Sequence, residues 1–273
     1  MSILNDTMTL AGGVKIPRLG FGTWQIPEGE ACYDAVSRAL EAGYRHIDTA
    51  RAYGNEKSVG RAVPERRTGP GGGVHHLQSC PRRKKGYDAA WRCFEATMED
   101  LRMETLDLYL IHAPWPWSEV GADYTRENIE TWRAMEEIGQ SRRCRAVGVS
   151  NFSVSDLKAI LDNGTVKPAA NQIRYFIGHT QEALTQFCMD EGSWSRGIPP
   201  LRPGGSLNIR RLQPSRPNTA SACPKSASGM CCKECPALPK AVHPEYIRQN
   251  AAVDFTLSDE DMAYFDGLTD TER

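Results

Sequence analysis

Asp48 closes the apolar-aromatic run Tyr44–Ile47, and Tyr53 follows five residues later, just before Asn55 and Glu56. β-Branched and aromatic residues suit a buried strand, which puts Asp48 at the strand's carboxyl end and Tyr53 on the loop beyond it. A carboxylate at a strand tip with a phenol close by is a proton-transfer pair: the phenol can give a proton and the carboxylate can hold the charge that tunes it. An aspartate capping the next helix and a tyrosine packed in the loop would produce the same spacing. His112 ends a second apolar run, Leu106–Ile111, where an imidazole can hydrogen-bond a reacting oxygen or hold a turn. Ser150 and Asn151 follow the run Arg143–Val149, and Gln172 lies in Ala169–Ile173. These are polar groups at strand tips, able to bind a carboxamide. Ser153 and Asp156 have the spacing of a capping box for the helix after Ser150 and Asn151.

Tips of this kind need strands that all point the same way. Met8–Leu10 and Val14–Ile16, turned at Gly12-Gly13, read as an amino-terminal hairpin. Leu19–Trp24 reads as the first barrel strand running into its loop; Trp24 fits either the core or a pocket wall. Gly20-x-Gly22 lacks the third glycine of a dinucleotide fingerprint. Amphipathic helices are expected over 29–42, 56–63, 87–101, 124–139 and 179–189, and Ser258 opens a terminal helix through Phe265. Strand and helix alternate along the chain, which favours a parallel sheet and an α/β fold of the (β/α)8 TIM-barrel kind. One domain over residues 1–273 is expected.

Two stretches break the alternation. Residues 64–85 and 192–235 are rich in Gly, Pro and Arg and show no period of 2 or 3.6. A structureless loop of that length sits badly inside a compact barrel. They should be irregular, with the third and seventh strands corrupted or missing. Read one base on, codons permitted for Val74–Gln78 also permit Phe-Ile-Thr-Ser-Lys. Read one base back, codons for Ser193–Arg196 permit Ile-Leu-Val-Glu. Both resemble barrel strands, so the two segments are expected to be translated out of frame.

The segment Gly43–Glu56 resembles the second-strand signature of the aldo-keto reductases. His112 matches the family's fourth-strand histidine and Gly148–Phe152 its fifth-strand motif. Pro236–Val242 followed by His243–Asn250 is similar to its eighth strand and following helix, in the manner of the bacterial diketogluconate-reductase branch. This resemblance implies reduction of a small aldehyde or ketone by NADPH, with NAD less favoured. Asp48, Tyr53 and His112 would be catalytic, Tyr53 giving the proton to the carbonyl oxygen. Gly22, Thr23, Asp48, Ser150, Asn151, Gln172, Lys240, Val242, Arg248 and Asn250 would bind the cofactor. Trp24, Tyr53, His112 and Trp115, with Trp117 nearby, would face the substrate. Ala113 stands where the family has Trp, Tyr246 where it has Arg, and Arg248 is displaced by two positions. The family's tetrad also has a lysine ending the third strand; here the matching place falls at Gln78 or Ser79. Lys84 and Lys85 lie too close to the next helix to replace it without rearrangement. Activity should therefore be impaired, and the alternative is an inactive barrel that binds nucleotide or a protein partner.

A net charge of −1 does not point to a polyanionic partner. The two arginine-rich stretches lack interleaved aromatics, so nucleic-acid binding is not expected. No apolar run is long enough to span a membrane. Cys32, Cys93, Cys144 and Cys188 are scattered singly, as reduced core thiols are, which fits a cytoplasmic protein. Cys231, Cys232 and Cys235 offer a single C-x-x-C with no clean second pair, so no metal centre is expected. The resemblance implies a monomer.

Overall fold

The computed structural model describes residues 3–65, 75–79, 85–175, 179–198 and 237–252. Strands β1 (Thr7–Thr9) and β2 (Lys15–Pro17) form the expected antiparallel hairpin, with Met8 opposite Ile16 and Gly12 and Gly13 at positive φ in the turn. Seven parallel strands follow: β3 (Phe21–Gly22), β4 (His46–Asp48), β5 (His75–Ser79), β6 (Leu108–Ile111), β7 (Val147–Ser150), β8 (Ala170–Arg174) and β9 (Trp194–Ile198). They pair strictly in chain order. Helices α1 (Glu30–Glu41), α2 (Glu56–Glu65), α3 (Tyr87–Leu101), α4 (Thr125–Gln140), α5 (Val154–Asn163) and α6 (Glu182–Asp190) lie between successive strands, and α7 (Pro244–Ala251) comes last.

The sheet is curled. The main-chain NH of Gly20 donates to the Ala237 carbonyl at 2.9 Å and that of Gly22 to the Pro239 carbonyl at 3.1 Å, so residues 237–240 run beside β3 in the eighth place. The Gln172 amide on β8 lies 3.2 Å from the Asp48 carboxylate on β4. In a flat sheet those strands, four places apart, would be about 19 Å from each other. Facing strands across a barrel bring them together.

Side chains alternate between two apolar layers. Leu108 and Leu110 of β6 point inward, where Met8, Leu10, Val14 and Ile16 of the hairpin meet them, so the hairpin plugs the amino-terminal end. Tyr109 and Ile111 point outward into the larger cluster with Phe94, Met98, Trp132 and Met135 of the helices. Close approach is enforced by two glycines. A Cβ on Gly60 of α2 would lie 2.5 Å from the backbone of Leu101 at the end of α3, and one on Gly148 of β7 would lie 2.5 Å from the Ala170 carbonyl oxygen of β8.

The expectation that the third and seventh strands are missing is corrected. β5 pairs with both β4 and β6, Leu77 opposite Asp48 and Gln78 opposite Tyr109, and β9 pairs with β8 over its full length. A parallel ladder is built from main-chain NH and CO groups that nearly every residue owns, so the slot fills although the side-chain pattern is absent. The spans 64–85 and 192–235 are thus not irregular throughout. Residues 66–74, 80–84 and 199–235 of those spans, the cysteines at 223–235 among them, and the helix opened by Ser258 lie outside the described residues. Among the described residues no helix is long and apolar enough to cross a membrane, and no group of three metal-binding side chains occurs.

Candidate active site

Asp48 is the last residue of β4 and is buried. The chain then enters a single 3-10 turn, Arg51–Tyr53, closed by Gly54 in the left-handed region at φ 70°. Asn55, wholly buried, locks this loop to its neighbour. Its amide donates to the carbonyls of Thr23 and Ile26, both at 2.9 Å, and its oxygen accepts from the Thr49 hydroxyl at 3.1 Å. The loop carrying Trp24 and the loop carrying Tyr53 are therefore one unit. Arg51 donates to Glu56 at 3.0 Å and to Asp100 at 2.9 Å, and Thr97 donates to the other Glu56 oxygen at 3.0 Å. These bonds pin the turn to α3.

His112 follows β6 directly. Its ring meets that of Tyr53 edge-to-face, 5.7 Å between centroids, and its other side meets Trp117 at 5.8 Å. Trp115 packs on Trp117 at 5.0 Å, and Trp24 is half exposed. Trp24 therefore stands at the rim and not in the core. Asn151 takes the left-handed conformation at φ 60°, and its amide donates to the His112 carbonyl at 2.8 Å and to the Ser150 hydroxyl at 3.0 Å. Ser150 in turn donates to the Gln172 carbonyl at 2.9 Å. The capping box belongs to Ser153 and Asp156, both halves formed, so Ser150 and Asn151 are not needed as caps.

Six predicted residues thus make an unbroken series of contacts around the mouth: Asp48, Gln172, Ser150, Asn151, His112 and Tyr53. Two buried polar atoms there have no hydrogen-bond partner among the described residues, Gln172 Oε1 and Thr23 Oγ1. Orphaned buried groups are rare in a folded protein, and a bound ligand would give these two partners. Gln172 Oε1 is an acceptor, the complement of an amide N–H, so the pocket fits a carboxamide such as that of a nicotinamide.

The adenosine end is less complete. Lys240 lies beside Gly22, whose absent side chain leaves room for it and for the Leu238 carbonyl. Val242 and Tyr246 are exposed, and the rings of Tyr246 and His243 meet at a tilt, 5.4 Å between centroids. Arg248, two residues beyond Tyr246 and hence on another helix face, lines a groove with Arg38 and Glu41 of α1. Asn250, four residues beyond Tyr246, lies one turn further along α7 than that residue.

Sequence reasoning missed Asn55, and it missed Lys85 and Asn128, which hold the backbone after His112. Asn55 was detectable as a polar residue amid the quoted Gly43–Glu56 segment. For the other two the sequence carries no signal.

Comparison with known proteins agrees with this geometry. The model of the aldo/keto reductase family matches residues 18–234, a span that runs through the first irregular stretch and nearly all of the second. Glyoxal reductase of Bacillus subtilis is 33% identical over 277 residues, covering 99% of this chain and 95% of that protein. The crystal structure of an aldo/keto reductase from Brucella melitensis is 32% identical, with a TM-score of 0.86 and coverage of 96% of this chain and 98% of that one. A Bombyx mori aldo-keto reductase in complex with NADP is 27% identical, with a TM-score of 0.79 and coverage of 98% and 94%. A (β/α)8 barrel whose strand tips bring Asp48, Tyr53 and His112 to one mouth, and whose sequence aligns in this way along nearly its whole length, belongs to the aldo/keto reductase family.

Proposed function

We propose that this chain reduces a small aldehyde or ketone to the alcohol, with NADPH preferred to NADH and Tyr53 as the proton donor. The observation that carries the reading is the series of contacts joining Asp48, through Gln172, Ser150 and Asn151, to His112 and Tyr53. Gln172 and Thr23 would hold the nicotinamide end and Lys240 the adenosine phosphate, with Val242 and Asn250 on the same segment. Bound NADPH supplies the hydride. Tyr53 protonates the carbonyl oxygen as charge develops on it, while His112 hydrogen-bonds that oxygen and fixes its direction. Trp24, Trp115 and Trp117 line the mouth, which suits a small carbonyl. Such a substrate matches the name of the Bacillus subtilis relative, a glyoxal reductase. Buried thiols outside any disulfide at Cys32, Cys93, Cys144 and Cys188 support a cytoplasmic setting. A monomer with no nucleic-acid partner completes the reading.

The third strand qualifies the rate. A phenol is a poor acid near neutrality, with an unperturbed pKa near 10. A cation beside it would correct that, and the family resemblance puts a lysine at the end of strand three. β5 contains none. Gln78 stands one residue past Leu77, the partner of Asp48, and β5 lies against the turn that carries Tyr53. We read β5 as the out-of-frame remnant of a lysine-bearing strand, and the chain as written as slow. The test is NADPH consumption with glyoxal by the purified chain and by Gln78→Lys. A gain of ~10²–10⁴ in kcat is expected, the range for one acid-base element. Equal rates would remove the lysine argument; no NADPH-dependent turnover by either protein would remove the reaction.

A further inference from the structure

Three successive carbonyls after β6 are each held by a side chain from a different element. The His112 carbonyl accepts from Asn151 at 2.8 Å, the Ala113 carbonyl from the Lys85 ammonium at 2.6 Å, and the Pro114 carbonyl from the Asn128 amide at 2.9 Å. Lys85 also donates to Asn128 Oδ1 at 2.7 Å, so the last two bonds share one junction. Asn128 is buried on the first turn of α4, and Lys85 is half-buried just before α3. Next to Lys85, the main-chain NH of Gly86 donates to the Thr131 hydroxyl at 2.8 Å, and Thr131 donates to the Glu127 carbonyl at 2.7 Å. The root of the lysine is thereby tied to the same helix as its tip.

From this arrangement we infer that Lys85 and Asn128 form a positioning clamp for His112, a role that rests on the carbonyl-reductase reading above. A backbone gripped at residues 112, 113 and 114 leaves the histidine ring little freedom. Its edge-to-face contacts with Tyr53 on one side and Trp117 on the other then follow from where its backbone stands. The ammonium is suited to the task because a charge-assisted bond to a carbonyl is shorter and stronger than a neutral one. It is half-buried, so loss of the cation would leave two acceptors, the Ala113 carbonyl and Asn128 Oδ1, competing for other donors. Lys85 acts through the position of His112 and does not touch the reacting atoms.

The experiment uses the full chain carrying Gln78→Lys, with Lys85→Met, Lys85→Arg and His112→Ala added singly and in combination. Lys85→Met is expected to lower kcat by ~10–10²-fold, the scale of a misplacement of about 1 Å, with KM for NADPH unchanged. Lys85→Arg restores most of the loss. In the His112→Ala background Lys85→Met costs nothing more. An equal loss in both backgrounds would overturn the clamp, since a purely structural lysine would act whether or not the imidazole is present. Should Lys85→Met fail to fold, Lys85→Gln, which keeps a neutral donor, takes its place with the same expectations. A readout free of turnover separates this inference from the reaction itself. The His112 imidazole proton resonance of the unsubstituted chain, assigned through His112→Ala, shifts in Lys85→Met and returns in Lys85→Arg. An unmoved resonance overturns the clamp even where carbonyl reduction holds, and a moved one sustains it even where no carbonyl is turned over.

Discussion

Strands β5 and β6 are hydrogen-bonded neighbours in one sheet, yet one reads His-His-Leu-Gln-Ser and the other Leu-Tyr-Leu-Ile. Every residue of β6 is buried, two facing the hairpin and two facing the helices, and its tip delivers His112. β5 takes its register from strands on both sides and ends without the lysine that the family resemblance places there. Ladder position is a property of the main chain and of the connections that feed it; chemistry is a property of the one side chain at the tip. In β6 the two agree. In β5 they have come apart, and the sheet does not register the difference.

The contrast can be broken most forcefully inside β6. Leu110 is 2% exposed between the hairpin and the barrel interior, so Leu110→Asp buries a carboxylate without a partner. It should cost about 4–5 kcal/mol or more and abolish cooperative unfolding in urea. Gln78→Lys in β5 should leave that transition in place. If both variants unfold alike, the two strands are equally constrained and the distinction fails. A smaller effect comes from the loop tips. Asn55→Ala strips hydrogen bonds from the Thr23 and Ile26 carbonyls, at about 1–3 kcal/mol for each buried group left unsatisfied. Thermal unfolding should report that loss, and KM for the carbonyl should rise as the Trp24 loop is released. The smallest effect is alkaline. Burial pushes the Cys32 and Cys144 thiols from the ordinary value of 9.0 up to about 12. In the folded chain they keep their protons where the unfolded chain loses them, so their contribution to stability is whole below pH 9 and shrinks as pH rises above it. A fall in the unfolding midpoint above pH 9, reduced in Cys144→Ala, checks this. A thiol reagent at pH 8 should leave both residues untouched until the chain unfolds.

Much of the site was legible because it obeys a simple rule: polar residues at the ends of apolar runs. Asp48, His112 and Ser150 each end or close such a run, Gln172 lies next to the end of one, and the structure brings all four together. The hairpin and the Ser153–Asp156 capping box were readable from local chemistry alone. Boundaries shifted where tertiary contacts decide them. The fifth barrel strand, read from Arg143, begins at Val147, with Cys144 making only an isolated bridge to Leu106. Helix α6, read from His179, begins at Glu182. The two unreadable strands have no side-chain period to find, since their neighbours supply the register. Lys85 and Asn128 were hidden for another reason: their partners are main-chain carbonyls 28 and 14 residues away, and a carbonyl leaves no mark in a sequence. Arg248 is read as a cofactor residue from its nearness in the chain to a motif position; in the structure it lines a groove with Arg38 and Glu41 of α1.

The proposed reaction stands on the phenol of Tyr53 giving the proton. Tyr53→Phe removes one oxygen and keeps the ring against His112, so NADPH binding, followed by fluorescence quenching, should persist. Glyoxal reduction by the Gln78→Lys protein should fall by ~10²–10⁴ when that substitution is added. Turnover that survives Tyr53→Phe, with cofactor still bound, would contradict the account.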